Sequence, residues 1–419
     1  MSVAAENPFP IGFDAEAAVS GVAWVDRRRA DALTRFRAGA IPHRRVEEWK
    51  YSDLRNALES QREPAQLLKA TGDPFAAIEG ARLFVTDGRL QNPEGSLPDG
   101  LEVLDLGLLH DDAPDWVKNH FGEILKGGPV GQASLALMRG GVALRVTSGL
   151  AMPVHLRFAQ HENTVHARAL VVIEEGASLH LLESHVSGGG LTNIGVELVL
   201  ARSAGLTHLR VADMAPEAIH VEEVGVQVDR DAKYHGHFSQ TGAKLARLEL
   251  AIALEQEGAE ADLGGAAILS GRRHSDITTH VMHRAGKTGS RQLFKYAVAD
   301  HARAVYQGKI TVAKGADGSD SRQTAKAILL GERAEADLKP ELEILADDVK
   351  CAHGAAVGDL DADSLFYLRA RGIPESEARR LLLRAFLEEA VANIAGDDAR
   401  AAMWRFIDRG LSGEGETPQ

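Results

Sequence analysis

The sequence predicts a mainly β core held between two helical segments, and three observations carry that prediction. From about residue 130 to 350 short runs alternate apolar and polar side chains. Leu248, Leu250, Ile252 and Leu254 interleave with Glu249, Ala251 and Ala253, and Ala259, Ala261 and Leu263 with Glu260 and Asp262. That is the period of a half-buried strand. Turn residues recur through the same stretch at Gly176, Gly205, Asp231, Gly258, Gly286 and Gly315, at spacings of 29, 26, 27, 28 and 29. Outside it the apolar residues fall at helical spacing. One repeat cannot bury its own inner face, but stacked coils can. A β-helix of about 27 residues per coil therefore fits, and so does a β-sandwich or jelly roll with Gly-rich turns.

Three regions follow: 1–125, mainly helical; 126–358, the β core; and 359–419, helical. In the first, Asp14 can cap a helix running through Trp24 and Leu33 to Phe36, ended by Gly39 and Pro42. Leu83-Phe84-Val85 followed by Asp87-Gly88 signals a hairpin with a type I′ turn. After the core, Asp361 or Asp363 caps a helix through Leu365, Phe366 and Leu368 that Gly372 stops. Pro374 opens a second helix carrying Leu381, Leu382, Ala385 and Phe386, and a third holds Met403, Trp404, Phe406 and Ile407. The tail from Ser412 reads as disordered. Stacked coils touch mainly their neighbours, so the core is expected to fold without the last region.

Composition excludes several classes. The formal net charge of −13 argues against broad binding to nucleic acid or anionic membrane. No apolar run approaches the roughly 18 residues of a membrane span. The opening MSVAAENPFP lacks the basic and apolar regions of a secretory signal, so a cytoplasmic setting is expected. Cys351, the single cysteine, suits a reducing compartment and cannot alone supply the four ligands of a conventional iron–sulfur cluster.

Most motif candidates reduce to structure. Gly286-Lys287-Thr288 resembles the end of a phosphate loop, but Val281 stands where the motif needs glycine. Gly188-Gly189-Gly190 reads as a mobile loop, Arg27-Arg28-Arg29 as a solvated helix face, and His235, His237, His280 and His283 as strand histidines without a metal. Outward carboxylates such as Glu249, Glu260 and Asp262 read as surface groups, which counts against a carbohydrate-active β-helix enzyme. Cys351 and His353, two residues apart on a strand, point the same way, and both side chains can bind metal.

The stretch Lys339-Pro340-Glu341-Leu342-Glu343-Ile344, then Asp347 to Ala355 with Cys351-Ala352-His353-Gly354, then Leu365-Phe366-Tyr367-Leu368-Arg369 with Arg371-Gly372-Ile373, resembles the signature region of SufD-type subunits of the SUF iron–sulfur cluster assembly system. Arg45-x-Glu47-x-Trp49-Lys50-Tyr51 is similar to that family's early motif, and Tyr306-x-Gly308-Lys309-Ile310 and Gln323-Thr324 match its core strands more weakly. Ala352 departs from the family's usual serine, and Ala325-Lys326-Ala327 from a more polar stretch. The resemblance implies a right-handed parallel β-helix between helical segments. It also implies a non-enzymatic scaffold that pairs with a SufB-like subunit and binds a SufC-like ATPase, with a homodimer as the alternative in isolation. His353 is then the main contact for iron or a nascent cluster at the partner boundary, with Cys351 a lesser one. No cofactor is expected to stay on the isolated chain. Phe366, Tyr367, Arg371, Gly372 and Ile373 become the ATPase-docking residues. A SufB-like paralogue is the nearest alternative; it would carry His-Glu in place of Cys-x-His-Gly and a further essential cysteine that this chain lacks.

Overall fold

Successive strands alternate between two sheets, so each coil of the chain gives one strand to each. The computed structural model describes residues 12–13, 16, 19–61, 73–93, 96–125 and 127–412; Asp14, expected as a cap, and the tail beyond Ser412 lie outside them. The described strands form a ten-stranded and a nine-stranded sheet, and within each sheet neighbouring coils pair in parallel from Gly140 onward. This is a β-solenoid. Inward rows such as Ala169, Val196, Val224 and Leu250 stack between the sheets as the core.

Six successive turns into the ten-stranded sheet hold a residue in the left-handed region, at Gly176, Ser203, Asp231, Gly258, Lys287 and Gly318, with φ from 56 to 77°, and the last of them holds Gly315 there as well, at 81°. The N–H of each of the six donates to the turn of the next coil, from Gly176 N to the Arg202 carbonyl at 3.0 Å through to Gly318 N to the Asp348 carbonyl at 2.6 Å. The recurrence was therefore real, but its strained residue is Ser203 rather than Gly205, Lys287 rather than Gly286. Coils vary in length, from the 26 residues separating paired Ile219 and Leu245 to the 32 separating Arg303 and Glu335 near the end.

The sheets begin upstream of residue 126. Ala81–Thr86 lies parallel to Val154–Gln160, with Leu83 beside Leu156 and Val85 beside Phe158, continuing the inward rows. Arg89–Leu90 returns antiparallel to it across Asp87 and Gly88, both at positive φ, as a type I′ turn requires. Leu101–Asp105 runs antiparallel to Gly140–Val146.

Helices cover both outer faces. Those on the nine-stranded sheet are α1 (Ala23–Ala38), α2 (Leu54–Glu59), α3 (Asp115–His120) and α4 (Pro129–Leu137). Phe36, Trp49, Phe121 and Ala133 from this layer pack with Leu170, Val199, Val221 and Leu245. Arg28 and Arg29 are not solvated: Arg28 donates to the Phe121 carbonyl at 2.7 Å and buried Arg29 to that of Met138 at 2.6 Å. Glu249 sits under the same layer, bonded to Arg247 at 2.7 Å. On the ten-stranded sheet, α6 (Glu375–Val391) and α7 (Asp397–Ser412) bury Leu383, Leu387, Trp404 and Phe406 on Leu209, Val211 and Ile268. The coils are thus not independent of the last region: without it this apolar sheet face meets water, at roughly 25 cal/mol per Å2.

Candidate functional site

The solenoid ends in an open coil. Its two strands, Glu335–Ile344 and Lys350–Asp359, each pair on one side only. Cys351, His353, Ala355 and Val357 continue the inward row formed one coil earlier by Ser321, Gln323, Ala325 and Ala327. Those four are buried; their successors are not, because no further coil covers them. Cys351 is half-buried beside Leu342, Ala346 and Val349, and burial, then Asp320, push its thiol up. His353 is exposed, with Val357, Ile344 and Leu345 also open to solvent. The structure so brings the two metal-capable side chains onto one face, at the rim of an apolar opening.

Backbone groups at the two free edges follow from the pairing. Lys350 N donates to the Ser319 carbonyl at 2.9 Å. Because parallel strands alternate the side to which successive amides point, the N–H groups of Cys351, His353, Ala355, Val357 and Asp359 face outward. On the other strand Glu335 N bonds back to Ala302 at 3.1 Å, so the even-numbered amides face outward, and Pro340 has none to offer.

The early motif reaches this end. Glu47–Trp49 is a 3-10 turn lying along the nine-stranded sheet. Trp49 is buried with the Arg247 guanidinium 4.1 Å from its ring centre. The Glu48 carbonyl accepts from Arg247 at 2.7 Å and Gln307 at 3.1 Å, and Glu47 pairs with Lys339 of the last coil at 2.6 Å. Lys339 also pairs with Glu341 at 2.9 Å.

Directly after the open coil, α5 (Ala362–Ala370) is capped by Asp361, whose carboxylate accepts from Ser364 N at 2.7 Å. None of its residues is buried: Phe366 is 75% exposed and Tyr367 58%. Arg371 lies over the Tyr367 ring at 5.2 Å, and Gly372, at φ 87°, turns the chain toward half-buried Ile373 and α6. Together, Phe366, Tyr367, Arg371, Gly372 and Ile373 form one projecting corner.

A second polar cluster, inside the solenoid, was not anticipated. His185, His220 and Glu222 bring ligand-type atoms within 4.8 Å of one another. Arg210 occupies their midst, bonded to Glu222 and, at 2.9 Å, to His220. Glu183 pairs with His185 and, at 3.0 Å, with His208. Burial pushes Glu222 up, but Arg210 and the two histidines outweigh it and hold its carboxyl well below the usual range. A guanidinium already neutralises this cluster, so it reads as a buried structural network. The sequence signal was available in Glu183-x-His185 and His220-x-Glu222, polar pairs on one strand face. Three other candidates are structural. His283 bonds Thr288 at 2.8 Å and Ser290 at 2.9 Å, His280 bonds Thr311 at 3.0 Å, and the Gly188–Gly190 stretch is a buried turn in which a Cβ on Gly190 would stand 2.3 Å from the Asn163 carbonyl oxygen. No helix among the described residues is long and apolar enough to cross a membrane.

Comparison with known proteins bears on this geometry. Residues 156–386 match the family model of the SufBD core domain of SUF-system FeS cluster assembly. The iron–sulfur cluster assembly protein SufD of Escherichia coli K12 is 29% identical over 394 residues, covering 89% of this chain and 90% of that protein. An iron–sulfur cluster assembly SufBD family protein of Synechocystis is 30% identical, covering 87% and 86%. The chloroplastic protein ABCI7 of Arabidopsis thaliana is 26% identical, covering 86% and 80%.

Proposed function

The chain belongs to the SufBD family and is SufD-like, and on that premise we propose that it is a non-catalytic scaffold subunit completed by two partners. A SufB-type subunit meets the open coil, and a SufC-type ATPase docks on the corner built by α5. The cargo is iron or a nascent cluster, held transiently where His353, with Cys351 as the lesser ligand, meets ligands of the partner. The compartment is the cytoplasm, and the isolated chain keeps no cofactor.

One observation carries the reading. Two soft or borderline metal ligands stand on the inward row of a coil that nothing covers, whereas an unpartnered solenoid end is normally capped by polar residues. One thiol and one imidazole do not complete a cluster's ligand set, so the rest must come from across the boundary. Imidazole replaces thiolate in some such clusters.

The test is His353→Ala in the copurified complex. An exposed side chain costs little on removal, so thermal unfolding should stay within about 0.5 kcal/mol of the parent. Cluster formation in cells should fall sharply, and Cys351→Ala should do less. Full cluster yield from His353→Ala refutes the assignment.

A further inference from the structure

The outward face of the ten-stranded sheet carries a groove of about 500 Å3, walled by the C-terminal end of α6. It lies on the opposite sheet face from Cys351 and His353 and stands apart from the reading above. Strand register sets Thr207, His235, Asp262, Arg291 and Arg322 in one row along it. The next row holds Leu209, His237, Gly264, Leu293 and Thr324. Gly264 keeps the floor low, since a Cβ there would stand 3.2 Å from His237 Nδ1 and 3.4 Å from the Ala390 carbonyl oxygen.

Two features of the groove ask for a ligand. Arg291 and Arg322 are direct cross-strand neighbours, about 4.8 Å apart in backbone spacing. Like charges so placed destabilise a sheet unless an anion comes between them. Lys326 adds a third cation, while Glu389 is tied to Lys295 and Arg322 has only a distant exposed partner, Asp320 at 3.8 Å. Half-buried Asp262, the cross-strand neighbour of Arg291 on its other side and in electrostatic contact with it, is the remaining acid in the lining, so one acid faces three cations there. The second feature is His237, 4% exposed, whose buried Nε2 has no hydrogen-bond partner. A buried polar atom left unpaired costs about 1–3 kcal/mol.

We infer that this groove binds a small organic phosphate, its phosphate straddled by Arg291 and Arg322 and its organic part lying on Leu209, Leu293 and Ile394 toward His237. Guanidinium groups match phosphate oxygens in bidentate geometry. The apolar floor with a few placed polar groups, and the volume, suit a ligand of nucleotide size.

Isothermal titration of the full chain with AMP, inorganic phosphate and citrate tests this. Saturable AMP binding is expected, about tenfold or more tighter than inorganic phosphate. Arg291→Gln and Arg322→Gln should each weaken it about tenfold. Both side chains are exposed, so the unliganded variants should unfold at or above the parent temperature. No AMP binding up to about 10 mM, or binding undiminished in the double variant, overturns the inference. Citrate binding as tight as AMP, or phosphate as tight as AMP, overturns the choice of an organic phosphate.

Discussion

Replacing Phe366 by alanine separates docking from folding. Its ring is 75% exposed on a helix with no buried residue. A phenylalanine presents roughly 200 Å2, so about 150 Å2 of this one is available to a partner. At about 25 cal/mol per Å2, covering it completely is worth up to about 4 kcal/mol. Incomplete packing and ordering of the side chain lower this to about 3 kcal/mol, or roughly a hundredfold in Kd. The folded chain loses almost nothing, so its unfolding midpoint should shift by less than about 0.5 kcal/mol. Titrating purified SufC-type ATPase into parent and Phe366→Ala chains by calorimetry measures the first quantity, and urea unfolding the second. An unchanged Kd refutes docking at α5. A large loss of stability refutes the description of α5 as unsupported by the body of the protein.

Trp49→Ala should cost about 3–5 kcal/mol in urea unfolding, since it opens a cavity and uncovers Arg247; a cost under about 1 kcal/mol would show that the early motif does not fasten the N-terminal layer. Stability should also fall as pH drops from 7 to 5. Burial, the leading cause in each case, depresses His166, His220, His237, His274 and His283 to about 4 from an ordinary 6.5. Between those values the unfolded chain binds the extra protons, so stability rises with pH across that window and is lost on descending through it. At pH 5 each such histidine costs about 2 kcal/mol, while Glu223, pushed up to about 8 chiefly by burial, opposes them by about 2–3 kcal/mol over the same window; the five histidines outweigh it, so a flat urea midpoint between pH 7 and 5 would contradict their burial in neutral form.

The coils were legible because strand alternation and turn recurrence both survive in a solenoid whose repeats share few letters. Asp231 was read as a turn residue and holds the left-handed position; what the reading missed is that Ser203 and Lys287 hold it instead of Gly205 and Gly286, because the ladder to the next turn fixes the backbone. The hairpin was readable, yet its membership in the sheet was not, since Leu83 and Val85 join the inward rows only through residues some 70 positions later. Burial of charge was hidden for a similar reason. Alternation says that Glu249 and Arg247 point outward, but not that a helical layer from the N-terminus lies over them. At the candidate site the shared face of Cys351 and His353 was readable from their spacing, whereas its exposure depends on the chain leaving the solenoid at Asp359, which no local pattern announces.

Pro340 bears on how far such a molecule can polymerise. Any bare strand edge is a template for another chain, and a solenoid with two bare edges at one end invites fibre growth. Here one of the two is missing its middle donor, at Pro340, while the Lys350–Asp359 edge offers an unbroken row of five. At the far end the sheets finish in antiparallel strands, Arg89–Leu90 and Leu101–Asp105, whose direction cannot be continued in a parallel stack. Among the described residues the Lys350–Asp359 edge is therefore the one parallel edge with an unbroken row of donors, and a strand that joins it caps that sheet instead of extending the stack.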